Sequence, residues 1–206
     1  MTDDDGFDSA AAAALLEQTT AATRRSLTAR APLLYGGWGV AWLVGLGAMW
    51  LSVRGQVPYQ GPSAGAAILL GVLSVGAIVI TIRTVGRATE GVHGQSEVRG
   101  RIFGIAWPVG YAAYYVMLSA LGRQGASAQV LGLVGAVGPL VITGLIYFVG
   151  SAIWLDWAML AMGLWLEVVA SVGVWTGPVT VLLVNAVAGG GGFLVVAGYL
   201  LWRGRR

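Results

Sequence analysis

A chain of 206 residues that is 57% hydrophobic and only 10% charged, with mean hydropathy +0.77, cannot cover a soluble core with polar side chains. Lipid removes that need, so composition places the chain among membrane proteins. The absence of cysteine excludes a disulfide framework, a thiolate metal site and a Cys nucleophile, and the net charge of +3 comes from arginines at the ends of apolar stretches, which is membrane topology rather than nucleic-acid binding.

The chain opens on MTDDDGFD, acidic where a cleavable signal would be basic, so the first apolar run is expected to stay in the protein. Those eight residues are expected to be disordered. Over 9–30 the pattern is a modest amphipathic helix. Leu15, Leu16, Ala22 and Leu27 gather on one side, opposite Glu17, Gln18, Arg24 and Arg25. Residues 1–31 are therefore read as a cytoplasmic segment whose helix lies on the inner leaflet or docks on a partner.

Six apolar stretches follow, at 33–52, 64–82, 102–121, 128–149, 152–173 and 178–202. Each approaches the roughly 20 residues that cross about 30 Å of hydrocarbon. Only Gly150 and Ser151 mark a turn between the fourth and fifth. Merging those two would leave five spans and move the C-terminus to the other side. With six spans and both termini cytoplasmic, ten arginines lie inside and two, Arg54 and Arg123, lie outside. The expected fold is thus all-α: a polytopic six-helix membrane bundle over 32–206, preceded by a short amphipathic helix, in the bacterial plasma membrane.

Glycine is dense inside the spans, which in lipid means close backbone approach. Two places go further. Gly138-Pro139 falls near the middle of the fourth span, where proline removes a backbone bond and kinks the helix. Gly189, Gly190, Gly191 and Gly192 are consecutive near the middle of the sixth, each costing about 1 kcal/mol of helix propensity against alanine. Broken helices at mid-membrane are where many transporters form their sites, so Pro139 and this glycine run are backbone site candidates.

Two carboxylates interrupt the fifth span, in IWLDWAMLAMGLWLEVV. Asp156 and Glu167 are eleven residues apart, which leaves them about 20° apart in direction and about 16 Å apart along a helix. Asp156 falls in the first turn, by the positive end of the helix dipole, and reads as interfacial. Glu167 lies about 6 Å past the centre of its span. A charge there costs at least about 3 kcal/mol, so it is expected to face the bundle interior, find a partner or hold a proton. Asn185 and the pair Tyr114 and Tyr115 reach a similar depth, so the expected ligand- or ion-binding cluster is Glu167, Asn185 and one tyrosine, with Asp156 as a further candidate.

Enzymatic readings find no support. The single histidine, His93, has no second His or Cys to complete a metal site, and no span serine has a nearby base. No catalytic group, metal or cofactor is expected. The entry RAPLLYGGWGVAWLVGLG and the exit GGGGFLVVAGYLLWRGRR resemble small six-span actinobacterial membrane proteins of unknown function. The layout is also similar in topology to permease subunits of ABC-2-type exporters, which have a cytoplasmic amphipathic helix, six spans and an ATPase-contacting connection that would here be 83–101. It differs from them in having only WTGP between its last two spans. Two functions follow. One is a small transporter or channel-like protein built around Glu167. The other is a non-transporting membrane partner, or an ABC-type permease subunit, acting through its N-terminal helix and the 83–101 connection. The partners to expect are the lipid bilayer, a cytoplasmic protein or ATPase, and a second copy of the chain.

Overall fold

Helices joined by short turns make up the computed structural model, which describes residues 9–88 and 94–204, with side-chain packing over 30–87 and 94–204. They are α1 (Ser9–Val53), α2 (Ala64–Ala88), α3 (Gln95–Arg123), α4 (Ala128–Trp154), α5 (Trp157–Gly173), α6 (Gly177–Val184) and α7 (Gly191–Gly204). A 3-10 turn, Val174–Thr176, precedes α6, and a π-helical turn, Asn185–Gly190, joins α6 to α7. Five stretches are long and apolar enough to cross a membrane: Arg30–Val53, Ala64–Arg87, Gln95–Arg123, Ala128–Trp154 and Trp157–Gly204.

The expected short amphipathic helix is not a separate element, because α1 runs unbroken for 45 residues from Ser9 into the first apolar stretch. Alanine-rich sequence favours helix through this region, and the only breaker before Gly36, Pro32, is absorbed inside it. The opening eight residues and His93 lie outside the described residues, and the side chains of Leu15, Leu16, Ala22 and Leu27, which carry the expected apolar face, lie outside the described packing.

The last apolar stretch, Trp157–Gly204, is 48 residues long but doubles back on itself. Gly177 takes φ +83°, a left-handed conformation that glycine adopts without strain, and Pro178 follows in the first turn of α6. Beyond this reversal Trp165 Nε1 donates to the Ala188 carbonyl at 2.8 Å, so α5 runs antiparallel to the leg formed by α6, the π turn and α7. Apolar character never drops through VWTGPV, which is why length and composition alone see one stretch.

The turn between α4 and α5 lies five residues beyond the expected Gly150-Ser151. Helix α4 continues to Trp154, and both Gly150 and Ser151 are buried within it. Ser151 Oγ donates back to the Phe148 carbonyl at 2.6 Å, so its hydroxyl is satisfied without a turn. Leu155 takes the left-handed conformation (φ 51°) and Asp156 caps α5, its Oδ1 accepting from the Ala158 and Met159 amides at 2.8 and 3.1 Å. The expected interfacial site for Asp156 is thus a helix N-cap.

The core lies among α1, α4, α5 and the α6–α7 leg. Leu140, Met162, Leu166, Val181 and Phe193 are fully buried there. Phe193 collects Tyr35, Trp42 and Tyr147 at ring separations of 6.0, 5.3 and 5.9 Å. Helix α2 packs on the outside of α1, where Trp38 Nε1 donates to Thr81 Oγ1. Helix α3 packs on the outside of α4. The α1–α2 loop is knitted by Gln56, whose Nε2 donates to the Ser52 and Gly61 carbonyls at 3.0 and 3.1 Å. From this loop Tyr59 leans over Gly132 of α4, and burial pushes its phenol up from the ordinary value, so it stays neutral. Because neighbouring legs alternate in direction, Arg30, Arg83, Arg87, Arg99, Arg101 and Arg203 gather at one end of the bundle and Arg54 and Arg123 at the other.

Candidate functional site

Helix α4 organises the polar groups. Pro139 has no amide to offer the Gly135 carbonyl, yet α4 runs on through it from Ala128 to Trp154. Side chains from α3 and from the π turn reach the carbonyls around Pro139. Tyr114 of α3 donates to the Val134 carbonyl at 2.6 Å. Asn185 Nδ2 donates to the Ala136 carbonyl at 2.9 Å. Thr143 Oγ1 donates to the Pro139 carbonyl at 2.7 Å, and the Tyr111 hydroxyl lies 2.7 Å from Thr143 Oγ1 and 3.2 Å from the same carbonyl. None of these is the Gly135 carbonyl itself; the side chains bond its neighbours and tie α3 and the π turn to α4 around Pro139. Tyr111 and Thr143 escaped the sequence reading. Their signal was present: Tyr111 stands three residues before Tyr114 on one helix face, and Thr143 lies one turn after Pro139.

Glu167 stands on the seam between α4 and α5, which is the closest helix contact beside it. A Cβ added at Gly144 would lie 2.5 Å from Glu167 Oε1 and 3.1 Å from the Gly163 carbonyl. One added at Gly163 would lie 2.8 Å from the Phe148 amide nitrogen. Glycine on both helices makes room for a carboxyl pressed on bare backbone. Gly144 is three residues from the midpoint of α4, about 5 Å, so the carboxyl sits near the middle of the apolar layer. Its Oε1 is buried with no hydrogen-bond partner.

The expected cluster does not assemble. Glu167 reaches α4 at Gly144, whereas Asn185 reaches it at Ala136, eight residues and about 12 Å away. Asn185 is fully buried, bonds the backbone through Nδ2 and leaves Oδ1 buried without a partner. Tyr114 is spent on Val134, and Tyr115 is 54% exposed, its ring against those of Tyr111 and Tyr114. Register explains it: Asn185 Oδ1 stands 3.5 Å from a Cβ added at Gly173, six residues and about 9 Å along α5 from Glu167, so the two residues are not at one depth. Asp156, used as a cap, is likewise apart from Glu167.

The break expected over the glycine run is met only in part, since Gly189 and Gly190 end a π turn while Gly191 and Gly192 begin α7. The leg widens into the π turn Asn185–Gly190, and Trp165 caps the Ala188 carbonyl. Gly189 lies on Trp42, and Gly190 faces the Leu43 backbone and the Gly39 carbonyl. Gly192 lies on Trp165, while Gly191 meets nothing within 4 Å. Three of the four are thus contact glycines, and the π turn places them. Among the described residues no three His, Cys, Asp or Glu side chains come together to hold a metal ion.

No family model, curated protein or solved structure matches the chain. Its own geometry is what bears on function.

Proposed function

We propose that the chain is a six-span membrane protein with both termini cytoplasmic, and that it is a small transporter or channel-like protein whose proton- or cation-binding group is Glu167. The reversal at Gly177 supports six legs rather than five, and the arginines gathered at one end support a cytoplasmic face there. The observation that carries the transport reading is the unpartnered Oε1 of Glu167 near mid-membrane. A carboxyl serving as helix glue would bond across the seam it presses on. Here Oε1 reaches the seam and has no partner among the described residues, which leaves it free to exchange a proton or a cation.

The test is flux into liposomes carrying the purified protein, read with a pH-sensitive dye under an imposed gradient of protons or of a monovalent cation. Glu167→Gln should lower the protein-dependent rate at least tenfold while leaving the helical content and elution volume intact. Flux unchanged by that variant, or no flux above protein-free liposomes, ends the reading.

The unbroken α1 favours a second reading. A helix continuous with a span projects from the membrane rather than lying along it, and residues 9–29 extend about 31 Å beyond Arg30. Such an arm suits a cytoplasmic protein partner, as in the resemblance to ABC-type permease subunits. A soluble protein that co-purifies stoichiometrically and is lost on deleting residues 1–30 would favour it over transport.

A further inference from the structure

An apolar groove of about 390 Å³ opens on the surface of the bundle between α1 and the leg that begins with α6. Leu43, Gly47, Ala48 and Trp50 form one wall, and Leu183 and Val187 the other. It exists because α1 is small-faced there. A Cβ added at Gly47 meets nothing within 4 Å, whereas one at Gly45, two residues earlier, would run into Leu70 of α2. Trp50 is both a wall of this groove and the platform for a cation: the Arg54 guanidinium stands 5.5 Å above its ring. From Leu43 to Arg54 the helix rises about 16 Å, close to half of a hydrocarbon layer of about 30 Å.

We propose that this seam binds one anionic phospholipid, with an acyl chain in the groove and the phosphate on Arg54. Three observations meet here. The groove wall on α1 runs from Leu43 to Leu51, about 12 Å, and Arg54 stands one turn beyond it on Trp50, so groove and cation together cover about one leaflet and match the two ends of a lipid. Arg54 is exposed, and the described acidic side chains lie elsewhere: Glu97 and Asp156 at the other end of the bundle, Glu167 near its middle. An arginine on the arginine-poor end also works against the charge bias that orients the protein, so topology does not account for it. A lipid tail fits better than a peptide, because an extended peptide at this depth would carry unpaired N–H and C=O groups into hydrocarbon. The inference needs the helices to span the bilayer but does not need transport.

The full-length protein, purified in detergent and supplied with equal phosphatidylglycerol and phosphatidylcholine, is analysed by native mass spectrometry. Wild type should retain phosphatidylglycerol at least tenfold over phosphatidylcholine. R54Q should abolish that preference. G47L, which fills the groove where a side chain has room, should lower retention of both lipids at unchanged helical content. Equal retention of the two lipids by wild type overturns the proposal, as does R54Q behaving like wild type. Phosphatidylglycerol retained in full by G47L, or displaced by equimolar glycerol phosphate, shows a phosphate contact without a chain site and overturns it too. Arg54 is exposed, so R54Q remains decisive even if G47L does not fold.

Discussion

The glycines where α5 meets α4 and α7 and where the π turn meets α1, and those of α2, are the same residue put to opposite uses. In the seams, Gly144, Gly163, Gly190 and Gly192 would each bring an added Cβ within 3 Å of a neighbour, and at Gly163 and Gly190 that neighbour is backbone. On α2, Gly65, Gly71, Gly76 and Gly86 would meet nothing within 4 Å. The surrounding side chains follow suit. Leu166 and Val181 are fully buried, while Ile68, Val72 and Val75 of α2 are more than 60% exposed on an apolar face that suits lipid tails. Glycine density by itself thus says nothing about packing; the partner across the seam decides.

The sharpest way to break this comparison is to add one carbon in the seams. Gly190→Ala would set a Cβ 2.6 Å from the Leu43 amide nitrogen, and Gly163→Ala one 2.8 Å from that of Phe148. Backbone cannot yield as a side-chain tip can, so each should cost about 3 kcal/mol, the upper part of the range for overpacking. Loss of the monodisperse peak in fluorescence-detected size exclusion after mild heating checks it. A variant as heat-stable as wild type would show that the seams are looser than these distances require.

Much of the architecture was legible before the structure. Apolar length located the membrane-length helices, whereas the break expected at Gly189–Gly192 is a π turn at Asn185–Gly190 that takes in only the first two of those glycines. Other features were not legible, for physical reasons. Gly150-Ser151 resembles a turn in water, but inside a bundle serine bonds its own helix and glycine admits the Met159 and Phe103 side chains, so the helix runs on. The true stop, Asp156, carried a readable N-cap signal that its apolar surroundings masked. The Glu167–Asn185 pairing failed because the turn at Val174–Thr176 sets the register of the two legs, placing Asn185 opposite Gly173 rather than Glu167, and span length alone does not fix that register.

The next effect tests that stop. Replacing Asp156 by alanine strips the cap from the Ala158 and Met159 amides and should cost about 1 kcal/mol, whereas Asp156→Asn, an equally good cap, should stay within a few tenths. Midpoints of thermal unfolding in one detergent compare them. If both variants fall together, the carboxylate's charge rather than its capping geometry is what α5 uses. Smaller still is Trp165→Phe, which keeps a ring over Gly192 and deletes only the bond to the Ala188 carbonyl. Interhelical bonds in bilayers average about 0.6 kcal/mol, and a loss of that size is expected here. Amide exchange should accelerate at 186–192 and not elsewhere, since the carbonyl released belongs to the π turn.

The smallest expected effect has the opposite sign and closes the comparison from the α2 side. Gly76→Ala adds a methyl group where nothing stands within 4 Å, so no packing is lost. In water the change would gain about 0.5–1 kcal/mol by reducing the freedom of the unfolded chain. In a bilayer a separated span keeps its backbone bonds and remains helical, so most of that freedom is already gone before the bundle assembles. The gain should shrink to a few tenths of a kcal/mol, seen as a thermal midpoint at or slightly above wild type. A clear loss of stability at Gly76, comparable with that at Gly190, would mean that α2 has a close neighbour in the membrane, such as a second copy of the chain, and that its glycines are seam glycines after all.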